Sequence, residues 1–269
     1  MKFSFQFDTK KAPASVPQTH ASQNLMTISR PEFLSQIPKH LKGIEIGPFA
    51  NPLLSGPNIK YLDVLPTEEL ITRATSLGLD PTKVPDISYV SNSDGFPKIQ
   101  ETFEFAISSH SIEHHPDLIK HLNQVSSVLS PRGKYFLIIP DKRYCFDHFI
   151  AESTIADVID AYLERRKVHT AKSVIEHRAL TTHNDPALHF SGNHGSIQLN
   201  QHERVKSALD EMNNAQGSYI DVHAWQFVPT SFAEIINQLA SLDLIDFEVQ
   251  SIWDTALNTF EFMAVLQKF

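Results

Sequence analysis

The chain has few of the features that cross-link a small domain or anchor it to a membrane. Among 269 residues there is a single cysteine, Cys145, which excludes a disulfide framework and a metal site built from several thiolates. The longest strongly apolar run, residues 135–139, ends at Pro140 and is far too short to span a bilayer. The N-terminal segment lacks the apolar core of a secretory signal. Together these absences predict a cytoplasmic location.

Positive charge is also scarce. Lys and Arg number 23 against 31 Asp and Glu, a net charge of −8 with neutral histidines. Non-specific nucleic-acid binding needs clustered cations that neutralise phosphates, and anionic membrane surfaces are bound by polybasic runs. We therefore expect neither a nucleic-acid partner nor a membrane partner. A chain of this length buries a large core without covalent help.

Strand patterns alternate with helix-length segments along most of the chain. Five short strands are predicted before residue 141, at residues 44–47, 59–65, 87–90, 103–108 and 134–139. Such alternation implies right-handed crossovers between parallel strands. Near the C-terminus, Ser231 and Glu234 predict a helix with a capping box, and residues 247–252 and 260–266 predict an antiparallel strand pair. The predicted fold is α/β, a doubly wound, mainly parallel seven-stranded Rossmann-like sheet with an antiparallel closing strand and a helical insertion.

Two segments break this rhythm. In residues 1–29, Phe3, Phe5 and Phe7 alternate with polar residues before a stretch rich in Pro, Ser, Thr and Gln, which predicts an N-terminal arm. The arm packs on its own domain or on a partner subunit, so a homodimer stays open. Residues 30–269 are predicted to form one domain, in which residues 141–222 are a His-rich insertion that caps one edge of the sheet. Thr154 and Asp157 predict a capping box for a helix in this insertion.

The strand ends suggest a nucleoside ligand. The first strand carries Glu45 and ends at Gly47, and Asp63 follows eighteen positions after Glu45 near the end of the second strand. A carboxylate there can accept hydrogen bonds from both ribose hydroxyls of an adenosine. A dinucleotide site needs three glycines and free backbone N–H groups for its pyrophosphate, whereas here Gly47 stands alone and Pro48 has no N–H. The loop therefore suits a ligand that has adenosine but no phosphate.

Several stretches resemble class I S-adenosylmethionine-dependent methyltransferases. Residues 43–47 (Gly-Ile-Glu-Ile-Gly) resemble the first motif of this family, and residues 61–63 (Tyr-Leu-Asp) resemble the second. Residues 94–96 and 103–114 resemble the third motif and the fourth strand. The turn at residues 129–133 is similar to that of the small-molecule, type 11-like branch. Residues 140–143 and 223–225 are similar to a subgroup often linked to polysaccharide biosynthesis.

The resemblance implies S-adenosyl-L-methionine as cofactor and methyl transfer to a small-molecule or carbohydrate-linked acceptor. By position, Gly47 would face the methionine part, Asp63 the ribose and Asp94 the adenine amino group. Ser109 and His110 would line the sulfonium side. The implied cofactor-binding residues are Glu45, Gly47, Pro48, Phe49, Asp63, Val64, Asp94, Gly95, Phe96, Ser109 and His110. A non-catalytic binding or scaffold protein is the alternative that Pro48 and Phe49 keep open, and the missing glycines disfavour a nicotinamide-dependent oxidoreductase.

Three residues just after strand ends are candidates for catalysis, namely His114, His115 and Asp141. If the acceptor is a hydroxyl, a histidine is the usual general base, and we predict His114 for that role. The alternative is that His114 caps a helix or packs beneath the cofactor loop. No His-Glu-x-x-His order is present, and the histidines of the insertion are irregularly spaced, so the sequence predicts no metal site.

Overall fold

The computed structural model describes residues 25–92, 94–197 and 200–269. Its centre is one seven-stranded sheet in the order β3-β2-β1-β4-β5-β7-β6. Strands β1 to β5 are parallel, and β7 is antiparallel to both of its neighbours. This confirms the predicted fold. The strands are β1 (Gly43–Ile46), β2 (Ile59–Asp63), β3 (Tyr89–Val90), β4 (Phe103–Ser109), β5 (Leu129–Pro140), β6 (Phe247–Trp253) and β7 (Glu261–Lys268).

Eight α-helices lie in the described ranges: α1 (Arg30–Ser35), α2 (Thr67–Ser76), α3 (Leu118–Val128), α4 (Ile155–Glu164), α5 (Ala171–Ala179), α6 (Pro186–Phe190), α7 (Gln201–Ala215) and α8 (Pro229–Ser241). None of the helices in this part of the chain is long and apolar enough to cross a membrane.

The two predicted capping boxes have different outcomes. At α4 the box is confirmed, because the Thr154 and Asp157 side chains each accept a hydrogen bond from the other's backbone N–H. The box predicted from Ser231 and Glu234 is wrong. Helix α8 begins earlier, at Pro229, whose fixed φ and missing N–H suit the first helical position. Ser231 therefore lies inside the first turn, and its Oγ accepts a 3.1 Å hydrogen bond from the N–H of Val228.

Both faces of the sheet are covered, which explains why its central strands read as nearly continuous apolar runs. One face packs its side chains, Ala106 of β4 among them, against α3, α4 and α8. The other face, which includes Phe105, packs against Phe33 of α1. The alternation along β4 follows from the period of two in a strand. Gly43 is required opposite Phe105, because a Cβ at position 43 would lie 2.1 Å from that ring.

The two irregular segments both contact the sheet. Residues 25–29 run beside it, where Thr27 pairs with Asp254 and Ile28 is buried. The strand predicted around Phe3, Phe5 and Phe7 lies outside the described residues. Within residues 141–222, α5 and α7 are joined by an ion pair between Arg178 and Glu211 at 2.8 Å. The division into an arm, a domain and an inserted cap stays a prediction.

Candidate active site

The ends of β1, β2, β4 and β5 meet at one edge of the sheet, because parallel strands share the edge of their carboxyl ends. In open α/β sheets that edge is where ligands bind. Gly47 follows β1 with a φ of +69°, and a Cβ there would lie 3.1 Å from the Ser111 hydroxyl, just after β4. The β1 loop and the segment after β4 are therefore direct neighbours.

Glu45 shapes the β1 loop from inside. Its two carboxylate oxygens accept hydrogen bonds from the N–H groups of Leu53 and Leu54, at 2.7 and 3.1 Å. Burial raises the pKa of Glu45 to about 7, although these two hydrogen bonds and the nearby positive charge of Arg30 each lower the pKa. The Glu45 side chain therefore holds the loop after β1 in a turn around its carboxylate.

Asp63 stands at the end of β2 with a buried carboxylate. Oδ2 accepts a hydrogen bond from the N–H of Phe49 at 3.1 Å, and Oδ1 accepts one from the N–H of Val64 at 2.7 Å. Burial raises the pKa of Asp63 despite these bonds. A carboxylate has about four acceptor sites, so each oxygen keeps capacity for a further donor such as a ribose hydroxyl. Phe49 itself has a φ of +44°, and the guanidinium of Arg73 lies 5.5 Å from its ring centre.

Residues 94–96 follow β3. The exposed Asp94 forms a 2.5 Å ion pair with Lys167, and this contact lowers the pKa of the Asp94 carboxyl. Gly95 has a φ of +105°, and a Cβ at that position would overlap the side chain of Gln124. The ring of Phe96 meets the edge of His121 at 6.1 Å.

At the end of β4, Ser109 and His110 are held by one network. The guanidinium of Arg30 donates to Ser109 Oγ at 3.1 Å and to both carboxylate oxygens of Glu261 at 3.1 and 2.9 Å. His110 has a φ of +49°, and its Nε2 lies 2.9 Å from Glu261 Oε2. These contacts fix the position of His110, which also lines a pocket.

This pocket has a volume of about 360 Å³. It lies between the ends of β4 and β5 and the segment of residues 141–222. Its walls combine aromatic rings with hydrogen-bonding side chains, among them His110, Glu113, His114, Phe146, His177, Asn184, Asp221, His223 and Phe260.

Glu113 is an unusual wall residue because it is fully buried and neither carboxylate oxygen has a hydrogen-bond partner among the described residues. Three imidazoles surround its Oε1: Nδ1 of His110 and Nε2 of His114 at 3.8 Å, and Nε2 of His223 at 3.9 Å. A buried carboxylate is costly unless positive charge compensates it. Glu113 therefore favours any step that puts positive charge on these rings. One atom each of Glu113, His114 and His223 also lies close enough for the three to hold a metal ion.

His223 is oriented by a second buried carboxylate. Its Nδ1 lies 2.6 Å from Oδ2 of Asp147, and both side chains are buried. An ionised carboxylate only accepts hydrogen bonds, so in the neutral ring Nδ1 carries the hydrogen and Nε2 presents a lone pair. An imidazole held in this way is arranged to take a proton from a ligand in the pocket.

The three predicted catalytic residues have separate environments. His114 lines the pocket, and its Nδ1 lies 3.0 Å from Asp221 Oδ1. Burial favours the neutral ring, but the carboxylates of Asp221, Glu113 and Asp147 raise the pKa of His114. His115 instead stacks on His121 at 3.6 Å, and burial lowers its pKa to about 3. The pocket thus brings His114 together with His110, while His115 lies in a histidine stack.

Asp141 is fully buried and engaged by its neighbours. Its carboxylate accepts hydrogen bonds from the backbone and guanidinium of Arg143, and Oδ2 also accepts one from Thr255 at 2.6 Å. Reasoning from the sequence named His114 as the base and did not identify Glu113, Asp147 or His223 as site residues. No local signal marks Asp147, because its partner His223 lies 76 positions further along the chain.

No protein-family model and no curated protein sequence matches the chain. Among solved structures, it is similar to an S-adenosylmethionine-dependent methyltransferase from Mesorhizobium loti, with 13% identity over 88% of this chain and 96% of the other at a TM-score of 0.45. It is also similar to the CcbJ methyltransferase from Streptomyces caelestis, with 9% identity over 85% of this chain and 89% of the other at a TM-score of 0.43. A SAM-dependent methyltransferase from Methanosarcina mazei is similar as well, with 14% identity over 91% of this chain and 99% of the other at a TM-score of 0.42. At these identities and TM-scores the likeness says nothing further about what this chain binds. The fold rests on the strand order of the chain itself.

Proposed function

We propose that the chain catalyses methyl transfer from S-adenosylmethionine to a hydroxyl group of a small-molecule or carbohydrate-linked acceptor. The observation that carries this proposal is the Asp147–His223 pair, a proton acceptor in a pocket at the same sheet edge as Asp63 and Gly47. Of the acceptor classes open to the family that the sequence resembles, a hydroxyl is the one that gains most from a general base.

The residues at the strand ends fit such a cofactor. Asp63 keeps acceptor capacity for the ribose hydroxyls, and Asp94 lies exposed after the neighbouring strand, where it can accept from an adenine amino group. Glu45, Pro48, Phe49 and Val64 shape the loop around Asp63, and Gly95 and Phe96 shape the adenine side. Ser109 and His110 line the approach from this loop to the pocket.

The cofactor supplies a methyl group on a sulfonium, and methyl transfer is an in-line displacement. The chain's task is then to align the acceptor oxygen, exclude water and accept one proton. With this cofactor bound, Nε2 of His223 would take the proton of the acceptor hydroxyl while its oxygen receives the methyl group and S-adenosylhomocysteine is left. Asp147 stabilises the resulting imidazolium at 2.6 Å, and Glu113 does so at 3.9 Å. The two carboxylates thus favour the charged form that the step produces.

The lining of the pocket supports a polar acceptor of moderate size. Its volume of about 360 Å³ is at the lower end of the range for small-molecule sites. Phe146 and Phe260 offer apolar surfaces, while Asn184 and His177 offer hydrogen bonds. Burial lowers the pKa of His177 to about 4, so this ring is neutral at physiological pH. A sugar, with apolar faces and many hydroxyls, fits this combination.

Calorimetric titration with S-adenosylhomocysteine tests the cofactor assignment. We expect micromolar binding by the unaltered chain and its loss in Asp63→Ala. The matched control is Asp210→Ala, which removes an exposed carboxylate from α7. NAD serves as a control ligand. Binding of NAD instead of S-adenosylhomocysteine overturns the proposal in favour of an oxidoreductase. If the folded chain binds neither ligand, the proposal is overturned in favour of the non-catalytic binding or scaffold protein.

A further inference from the structure

A second group of histidines lies in the segment of residues 141–222, and the cofactor site makes no use of it. His148, His189 and His194 each place one ring nitrogen within 4.8 Å of the others. The rings of His148 and His194 stack at 3.7 Å with an angle of 8°, and Nδ1 of His189 lies 3.0 Å from Nδ1 of His194. We call these three residues the histidine cluster. The cluster joins two regions of the chain, one around His148 and one that carries both His189 and His194.

Backbone carbonyls fix the tautomers of two members. Nδ1 of His148 lies 2.8 Å from the carbonyl oxygen of Arg143, and Nε2 of His189 lies 3.1 Å from that of His183. A carbonyl oxygen only accepts, so both of these nitrogens carry hydrogens. In the neutral rings, His148 Nε2 and His189 Nδ1 therefore present lone pairs. Hydrogen bonds of this kind, on the ring nitrogen away from the ion, are typical of histidines that bind metals.

The third member, His194, brings a further ring nitrogen close to that of His189. Because the rings of His148 and His194 are stacked, their in-plane lone pairs lie in parallel planes, so one of these two rings has to turn for both to reach one ion. Because Nδ1 of His189 has no hydrogen, His194 must donate its own Nδ1–H across the 3.0 Å contact. Two imidazole nitrogens on one tetrahedral Zn²⁺, at about 2.0–2.1 Å each, lie about 3.3 Å apart. A small opening of this contact thus lets an ion bind both Nδ1 atoms, with the hydrogen of His194 moved to its Nε2 so that the ring stays neutral.

We propose that His148, His189 and His194 bind a divalent transition-metal ion of the Zn²⁺ type. Imidazole nitrogens favour ions of this class over Mg²⁺ and Ca²⁺, and three protein ligands leave a fourth position for water. Since no carboxylate belongs to the set, its ligands are neutral and the bound ion keeps its full positive charge. The irregular spacing of these histidines conceals the set in the sequence.

The surroundings of the histidine cluster indicate what the ion does. Lys142 donates to the carbonyl oxygen of His148 at 3.0 Å, and Thr182 donates to that of His194 at 2.7 Å. Between these points, the N–H of Phe146 donates to the side chain of Asn184 at 3.2 Å, and both of these residues line the pocket. An ion bound by the cluster therefore joins the two chain segments that form this wall. We assign it a structural role.

The test is metal titration of the full chain without a histidine tag. After treatment with a chelator and buffer exchange, the chain is titrated with Zn²⁺ by calorimetry and with Co²⁺ by absorption spectroscopy. We expect one equivalent of Zn²⁺ to bind and Co²⁺ to show the strong d–d bands of a tetrahedral site. His148→Ala and His194→Ala are each expected to weaken Zn²⁺ binding by more than about 100-fold. Loss of a residue that only hydrogen-bonds to a ligand weakens metal binding by up to about that factor, so a larger loss indicates a direct ligand.

Two controls locate the site. His40→Ala removes an exposed histidine elsewhere and is expected to bind Zn²⁺ as the unaltered chain does. His114→Gln alters the pocket, whose Glu113, His114 and His223 form the other group close enough for a metal. Loss of Zn²⁺ in His114→Gln with retention in His148→Ala overturns the proposal, as does the absence of stoichiometric binding by the unaltered chain. Circular dichroism of each variant separates loss of a ligand from loss of the fold. Binding of S-adenosylhomocysteine has no part in the readout, so this proposal and the proposed function can fail separately.

Discussion

Asp147 accepts a 2.6 Å hydrogen bond from Nδ1 of His223, a residue 76 positions further along the chain. The bond determines which nitrogen of His223 faces the pocket, because Nδ1 is occupied and Nε2 is left with its lone pair. The carboxylate also lies where it stabilises the positive charge that the ring would take up in the proposed step. Both effects depend on the position of Asp147, so the pair acts as a unit.

Removing the base is expected to slow the reaction without affecting cofactor binding. In His223→Ala the acceptor hydroxyl loses its proton acceptor, and general-base catalysis contributes typically about 10²- to 10⁴-fold. The measurement is the rate of S-adenosylhomocysteine formation with a panel of sugar-containing acceptors, alongside calorimetry with S-adenosylhomocysteine. Asp147→Asn is expected to lower the rate in the same direction. His177→Gln alters the same pocket and is expected to change KM more than kcat. An unchanged rate in His223→Ala rules out this base.

The buried Glu45 is expected to make stability fall with rising pH. Its folded-state pKa of about 7 lies above the usual value of 4.5, so the folded chain binds more protons than the unfolded chain between these pH values. Unfolding free energy therefore decreases as pH rises from about 4.5 to 7, by up to about 3 kcal/mol. Urea unfolding at pH 5 and pH 8 measures the effect. The decrease should shrink in Glu45→Gln but not in Glu234→Gln, which changes an exposed carboxylate.

Arg143 is expected to matter for stability through Asp141. Its removal leaves a fully buried carboxylate with Thr255 as its remaining side-chain donor among the described residues. Breaking a buried ion pair from one side costs about 3–5 kcal/mol, and we expect the lower end because Arg143 is partly exposed. Chemical denaturation of Arg143→Ala gives the value. Arg132→Ala breaks an exposed pair with Glu248 and should change stability by less than about 1 kcal/mol. Equal effects of the two substitutions would contradict the explanation.

Gly43→Ala is expected to destabilise the chain by overpacking. The new Cβ would lie 2.1 Å from the ring of Phe105, and extra atoms in a packed core cost typically about 1–3 kcal/mol. A double-mutant cycle with Phe105→Leu checks the cause, since a smaller side chain at position 105 makes room for the methyl group. The two substitutions together should cost less than the sum of their separate effects. If the two free-energy changes simply add, the destabilisation by Gly43→Ala does not come from a clash with Phe105.

Much of the fold could be predicted because it depends on local patterns. Apolar runs of strand length predicted the seven strands, their alternation with helix-length segments predicted a mainly parallel sheet, and the capping box at Thr154 predicted the start of α4. The box at Ser231 failed although its residue types were right. Pro229 competes for the same helix start, and local pattern alone does not show which signal wins.

The candidate site could be predicted only in part. Asp63 and Gly47 were identifiable because strand ends of a parallel sheet share an edge. His223 and its partner Asp147 were not, since they lie 76 positions apart and meet only in the folded chain. The same holds for the histidine cluster, in which His148 meets His189 and His194 only in the folded chain.

The segment of residues 142–226 begins and ends beside the end of β5. Asp141, directly after β5, pairs with Phe227, and the N–H of Lys142 donates to the carbonyl oxygen of Phe227 at 3.0 Å. A segment with its two ends held side by side can change in length and composition without altering the strand register around it. Replacing this segment by one of different length and sequence should therefore leave the sheet intact and change the wall of the pocket.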